Sequence, residues 1–255
     1  MRRKILIVVV VVLMVAVIGS FLVLGNLGRI VKFGVEQGGS LALGVPVRLE
    51  DAKVSVSAAT LTLDGLTVGS PEGFGAPYMF ELAHASATVD VGSLRSDLIV
   101  IKDVTVDAPR VTLEFSGGST NWGVLLAHLK KPAAQPSKKK MQIGHLVITN
   151  GKLAIAGVPV AGTAAVPLPP VDVHDVGGGA SGGASVQTVL TDVVSSLYLA
   201  IGEAAKQVVP AQQLEALGGE ARSQLGNAGS AAQGAAGKAT QALKGLLGGS
   251  EKKGN

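Results

Sequence analysis

The sequence predicts a membrane-anchored, β-rich α+β protein: one N-terminal transmembrane helix, a bent antiparallel sheet and C-terminal helices. Three observations predict it. Residues Ile5 to Leu24 form an uncharged apolar run behind a basic tip, Met1-Arg2-Arg3-Lys4. From Val45 to about Val160, apolar residues recur at every second position, with Val, Leu, Ile and Thr dominant, as strands prefer. From Val186 to Val208 the apolar spacing changes to three and four.

Composition sets the outer bounds. A chain of 255 residues has room for one or two domains plus accessory segments. It contains no cysteine, which excludes disulfides, thiol catalysis and cysteine-ligated metals. The net charge of +4 is mild, and Lys and Arg gather at the two ends and between Lys130 and Lys140. With 3% aromatics there is no basic surface interleaved with rings, so no nucleic-acid partner is expected.

The elements follow in order. At about 1.5 Å per residue, the run containing Ile5, Val10, Val15 and Leu24 spans a bilayer core. The basic flank predicts a cytoplasmic N-terminus and a body outside the cytoplasm. A cleaved signal peptide is the competing reading, but its apolar region is usually shorter and no small-x-small cleavage site follows. Residues 1–26 are therefore read as tip and anchor, and 27–170 as the β-rich domain. Residues 171–210 are read as a glycine-rich joint and amphipathic helix, and 211–255 as an Ala/Gly-rich tail, helical or disordered. Leu27, Ile30, Val31 and Val35 predict an amphipathic connector that Gly38 and Gly39 end.

Within the β region, Leu61 to Phe74 (LTLDGLTVGSPEGF) and Ile99 to Pro109 (IVIKDVTVDAP) share a detail. Leu61 and Leu63 are odd-numbered, whereas Leu66 and Val68 are even. Ile99 and Ile101 are odd, whereas Val104 and Val106 are even. A period of two changes parity only through a bulge or a turn. Leu146 to Ile155 (LVITNGKLAI) is a weaker relative. The units are read as bent strands, with separate hairpins at Asp64-Gly65 and Asn150-Gly151 as the alternative.

Other motifs fall short of chemistry. Gly179 to Gly183 matches a nucleophile elbow around Ser181, but no histidine follows His174 to complete a Ser-Asp-His order. Gly177 to Gly182 matches G-x-G-x-x-G, yet no strand follows the next helix. Asp172 and His174 alternate onto one strand face, and two ligands do not define a metal site. No catalytic residue, metal or cofactor is assigned.

The order of features resembles the N-terminal region of AsmA-like proteins. Ser70-Pro71-Glu72-Gly73-Phe74 is similar to the family's NP-x-GF turn, Asp90 to Leu94 to its vdl-x-sL segment, Asn121-Trp122 to its NW motif, and Val147 to Leu153 to its strand ending in Asn-Gly. The resemblance covers roughly residues 1–160 and gives Pro71, Gly73, Phe74, Asn121 and Trp122 structural roles. It implies a non-enzymatic inner-membrane protein with a periplasmic body. The implied roles are lipid handling or support of outer-membrane assembly through an apolar sheet face, with membrane lipids and an envelope protein as partners. Leu61, Leu63, Leu66, Val68, Val104, Val106, Val111 and Leu113 are the candidate lipid-facing positions. Two alternatives stand beside this. The helix from Val186 to Val208 covers that face instead, or the chain is a scaffold whose tail recruits a protein.

Overall fold

The computed structural model describes residues 26–131, 139–158, 165–178, 182–210 and 213. The predicted span with Ile5, Val10, Val15 and Leu24, the middle of the lysine-rich loop, Ser181 and the tail beyond residue 213 lie outside the described residues.

Helix α1 (Leu27–Leu43) opens the described chain. Gly38 and Gly39 do not end it. It runs on to Gly44, whose left-handed backbone, φ 69°, returns its N–H to the Ser40 carbonyl. The reason is lateral support from the first strands. The Glu36 carboxylate accepts from the Leu49 N–H at 3.0 Å, Ser40 Oγ accepts from the Val47 N–H at 2.9 Å, and Lys32 donates to the Glu50 carbonyl at 2.9 Å. Gly28 permits this approach, because a Cβ there would sit 2.1 Å from the Ala52 carbonyl oxygen.

Twelve strands form one sheet among the described residues. They are β1 (Val47–Arg48), β2 (Asp51–Ser55), β3 (Thr60–Gly69), β4 (Tyr78–Val89), β5 (Leu98–Asp107), β6 (Arg110–Ser116), β7 (Ser119–Thr120), β8 (Lys140–Thr149), β9 (Lys152–Ala156), β10 (Val166–Pro167), β11 (Val171–Val176) and β12 (Ala184–Ser185). Four pairs are single ribbons interrupted by a kink. β1 and β2 both lie on β3, β5 and β6 on β4, and β8 and β9 on β5 and β6, while β11 and β10 lie on β8 and β9. The ribbons then stand side by side in chain order.

The predicted antiparallel sheet is in fact mixed. Ribbon β8–β9 runs parallel to β5–β6, with Leu98 facing Lys140, Asp107 facing Thr149, Arg110 facing Lys152 and Glu114 facing Ala156, an offset of 42 residues throughout. Parallel neighbours need a crossover connection. Helix α2 (Asn121–Leu129) lies within that connection, after the Gly117-Gly118 turn and β7. Asn150-Gly151 is thus not a hairpin: β8 and β9 do not pair with each other. Asp64-Gly65 is not one either, because β3 runs unbroken through it.

Two transverse creases explain the parity changes. The strand registers place Glu50, Gly65, Ala83, Ala108, Asn150 and Pro169 level with one another across the sheet. Gly65, Ala108 and Asn150 are left-handed there, with φ of 64°, 51° and 55°. A second line joins Ala59, Val89, Lys102, Gly144 and Asp175. It carries the bulge opposite Thr88/Val89 and the left-handed Ala59 and Asp175. All four non-glycine residues with positive φ among the described residues lie on these two lines. A left-handed residue or a bulge turns the next side chain to the same face instead of the opposite one. Leu63 and Leu66 therefore share a face across the first crease, as do Ile101 and Val104 across the second.

The first crease is pinned by Asp107, which accepts from Asn150 Nδ2 at 2.7 Å and from Thr149 Oγ1 at 3.0 Å. The Asn150 amide is the largest cause holding the Asp107 carboxyl below its ordinary value, with the Thr149 hydroxyl next. A carboxylate depressed by folding stabilises fully above its unfolded pKa, about 3.9, and loses this contribution as pH falls through the lower folded value. Asn150→Ala is expected to lower the thermal midpoint at pH 7. The gap to the parent is expected to narrow below about pH 4, read by circular dichroism melts across pH.

The core lies on one face of the sheet beneath two helices. Helix α3 (Val186–Ala205) is capped by Ser185 Oγ, which accepts from the Thr188 N–H at 3.1 Å. Its buried side includes Val189, Val194, Leu197, Ile201 and Ala204. By length and composition α3 could cross a membrane, but that apolar side is packed on the sheet. Helices α2 and α3 are antiparallel neighbours: Thr120 Oγ1 meets the Tyr198 hydroxyl at 3.2 Å, and Gln187 donates to the carbonyls of Leu129 and Lys131.

Candidate functional site

The covered face carries apolar residues in level rows. One row is Leu61, Ala87, Val104, Leu146 and Val173, and the next is Leu63, Ala85, Val106, Ile148 and Val171. Beyond the first crease comes Val47, Val68, Phe80, Val111, Leu153 and Val166. Burial rises from row to row. In the first, only Leu146 is buried, in the second all but Leu63, and in the third all but Phe80.

The eight predicted lipid-facing positions therefore separate into two groups. Val68, Val106, Val111 and Leu113 are buried, Leu113 completely, within the core that the helices close. Leu61, Leu63, Leu66 and Val104 are half-buried on the middle ribbons β3 and β5. Between these ribbons β4 presents Leu82 level with Leu66, then Ala85 and Ala87, then Val89 level with Ile101. The two alanines are shorter than the flanking Leu61, Leu63, Val104 and Val106, which makes a short furrow on β4 bounded by Leu82 and Val89.

The furrow lies toward one end of the sheet, with Val89 and Ile101 between it and that end. There the β2–β3 turn exposes Val56, and the 3-10 turn between β4 and β5 exposes Val91 and Leu94. Helix α1 begins at the same end, since Gly28 sits against Ala52 and Ser40 against Val47. Its outward side carries Ile30, 59% exposed, and Phe33, 66% exposed, beside Arg29. The apolar run that ends at Leu24 joins the chain two residues before α1.

The motif residues are structural. Asn121 is fully buried: its Oδ1 accepts from the Glu114 and Trp122 N–H groups at 3.1 and 3.0 Å, and its Nδ2 donates to the Thr112 carbonyl at 2.9 Å. Trp122 Nε1 donates to the same carbonyl at 3.0 Å, with the ring buried among the core residues. Pro71, Gly73 and Phe74 form the β3–β4 turn. Glu114 holds that turn by accepting from the N–H groups of Gly75 and Ala76, each at 2.7 Å, and Ser116 Oγ donates to the Gly73 carbonyl at 3.1 Å. Sequence reading missed Glu114. It stands at a polar position of the β6 alternation, with Arg110, Thr112 and Ser116, so periodicity carries no signal of its burial.

The opposite face of the sheet is polar. Asp64 sits there between Lys53 Nζ at 2.7 Å and His84 Nδ1 at 2.5 Å. The hydrogen bond from Lys53 is the largest cause lowering the Asp64 carboxyl.

Among known proteins, no family model matches the chain, and no curated protein or solved structure matches it.

Proposed function

We propose that this is a non-enzymatic, membrane-anchored protein of AsmA-like type, set in the inner membrane with its body in the periplasm. In this reading it handles lipid, or supports outer-membrane assembly, through the furrow on its sheet. The observation that carries the reading is the furrow's position. Its half-buried residues lie toward the end where α1 begins and where Val56, Val91, Leu94, Ile30 and Phe33 are exposed. An acyl segment gains about 0.8 kcal/mol per methylene over water. It gains little over a bilayer interior, so a mouth set against the membrane exchanges chains at small net cost.

Ala87→Phe fills the furrow, and Ser86→Phe places the same ring on the other face. Full-length protein extracted in mild detergent is expected to carry phospholipid above a control membrane protein. Ala87→Phe should lose it and Ser86→Phe keep it, measured by lipid mass spectrometry. Equal lipid in both variants would remove the furrow from the proposal.

A scaffold role is the second reading. It is favoured by the deep rows around Val111, Leu113 and Leu153, which protein already fills. On that reading the furrow variants are silent and removal of residues 211–255 loses a protein partner.

A further inference from the structure

On the polar face of the sheet, three neighbouring ribbons bring four ligand-type side chains together at the second crease. His145 of β8 stands directly opposite His174 of β11, and Asp103 of β5 stands level with His145 on its other side. Asp172 lies two residues before His174, on the same face. Gly144 and Asp175, the crease residues, adjoin the two histidines, so the kink sets where both rings emerge.

The rings stack with centroids 4.2 Å apart and planes 18° from parallel. Asp172 Oδ1 lies 3.0 Å from His145 Nε2 and 3.4 Å from His174 Nδ1. The three ligand atoms all fall within 4.8 Å of one another. With metal–ligand bonds of 2.0–2.1 Å, the edges of a tetrahedral zinc site are about 3.3 Å long. The three atoms are close enough to share one ion once the two rings rotate out of their stack, since an imidazole binds a metal in its own plane, with water or solvent-facing oxygen at the open position. His174 and Asp172 are 66% and 60% exposed and His145 34%, which leaves an entry path. The other nitrogen of His145, Nδ1, faces Asp103 Oδ1 at 3.7 Å. A carboxylate behind a metal-bound imidazole fixes its tautomer and orientation. Two carboxylates beside stacked imidazoles also concentrate negative charge that a dication offsets.

We infer that His145, His174 and Asp172 form a surface site for a divalent transition metal of the zinc type, with Asp103 positioning His145. Imidazole and carboxylate donors suit zinc, copper and nickel and do not suit calcium or magnesium as well. Bound there, the ion would tie β8 to β11 along the crease. The inference does not depend on the lipid reading.

The test is calorimetric titration of Zn²⁺ into full-length protein, stripped with chelator and carrying no polyhistidine tag. One equivalent is expected to bind, with a rise in thermal midpoint. His174→Ala and Asp172→Ala should each abolish that binding, and Asp103→Asn should weaken it about 10- to 100-fold, as for other outer-shell carboxylates. His84→Ala, at the separate His84–Asp64 pair, should leave it unchanged. Circular dichroism confirms folding, which these exposed positions leave intact. Absence of zinc binding in the folded parent would overturn the inference, and so would binding that persists in both His174→Ala and Asp172→Ala.

Discussion

Trp122→Ala is expected to cost about 3–5 kcal/mol of folding stability, the range for removing a large buried aromatic. Trp122 closes the junction between α2 and β6, and its ring is 2% exposed. The loss has two parts. A cavity opens in the buried core cluster to which Trp122 belongs, and the Thr112 carbonyl loses one of its two side-chain donors, keeping the Asn121 amide. Asn121→Ala reaches the same junction through polarity. It leaves the N–H of Glu114 without its acceptor in a dry site, at about 1–3 kcal/mol for each group so stranded. Val124→Ala, on the outward side of the same helix, is expected to change stability by less than about 0.5 kcal/mol. Urea unfolding followed by tryptophan fluorescence serves for Asn121→Ala, and circular dichroism for all three. A Trp122→Ala loss below about 1 kcal/mol would mean that α2 is not docked on β6.

Gly65→Val is expected to cost about 3 kcal/mol and to disturb β1, β2 and β3 together. A left-handed backbone costs an ordinary residue about 1–2 kcal/mol, and β-branched residues more. Space adds to this, since a Cβ at Gly65 would sit 2.3 Å from Glu50 Cγ. Gly65→Asn separates the two causes. Asparagine tolerates the left-handed region but still needs room. If conformation dominates, Gly65→Asn should retain most of the stability that Gly65→Val loses. Equal losses would place the cost in the contact with Glu50. The comparison is made by thermal melts of the two variants.

Much of this architecture was legible in residue spacing. The switch from odd to even apolar positions at Leu63/Leu66 and at Ile101/Val104 marked a bend in each strand, but it read as one repeated unit, and only the strand pairing sets the two bends on different creases. Ser185 and the stripe from Val189 to Ile201 marked α3, and its cover over the sheet was one of the alternatives expected. Other features left no local trace. Ala59 and Ala108 are left-handed, yet alanine carries no signal for that conformation. Gly38 and Gly39 look like a helix stop, and only the strands packed along α1 carry it past them. The parallel junction was hidden because its partners lie 42 residues apart in an offset that periodicity does not encode. The helix from Asn121 to Leu129, which supplies the crossover, was not read from the sequence. The cluster of Asp103, His145, Asp172 and His174 comes from three ribbons. Only the strand order brings it together, so the sequence offered the Asp172/His174 pair alone.

The central claim is that the furrow on β3–β5 is open to lipid. Photo-crosslinking in intact membranes addresses it most directly. A benzophenone amino acid is placed at position 61, 104 or 105 of the full-length chain, and adducts are identified by mass spectrometry. Val104 and Thr105 are sequence neighbours on opposite faces of one strand, so they differ in little but orientation. Phospholipid adducts at 61 and 104 with none at 105 are the predicted result. Lipid adducts absent at 61 and 104, or equal at 104 and 105, would contradict a lipid-accessible furrow.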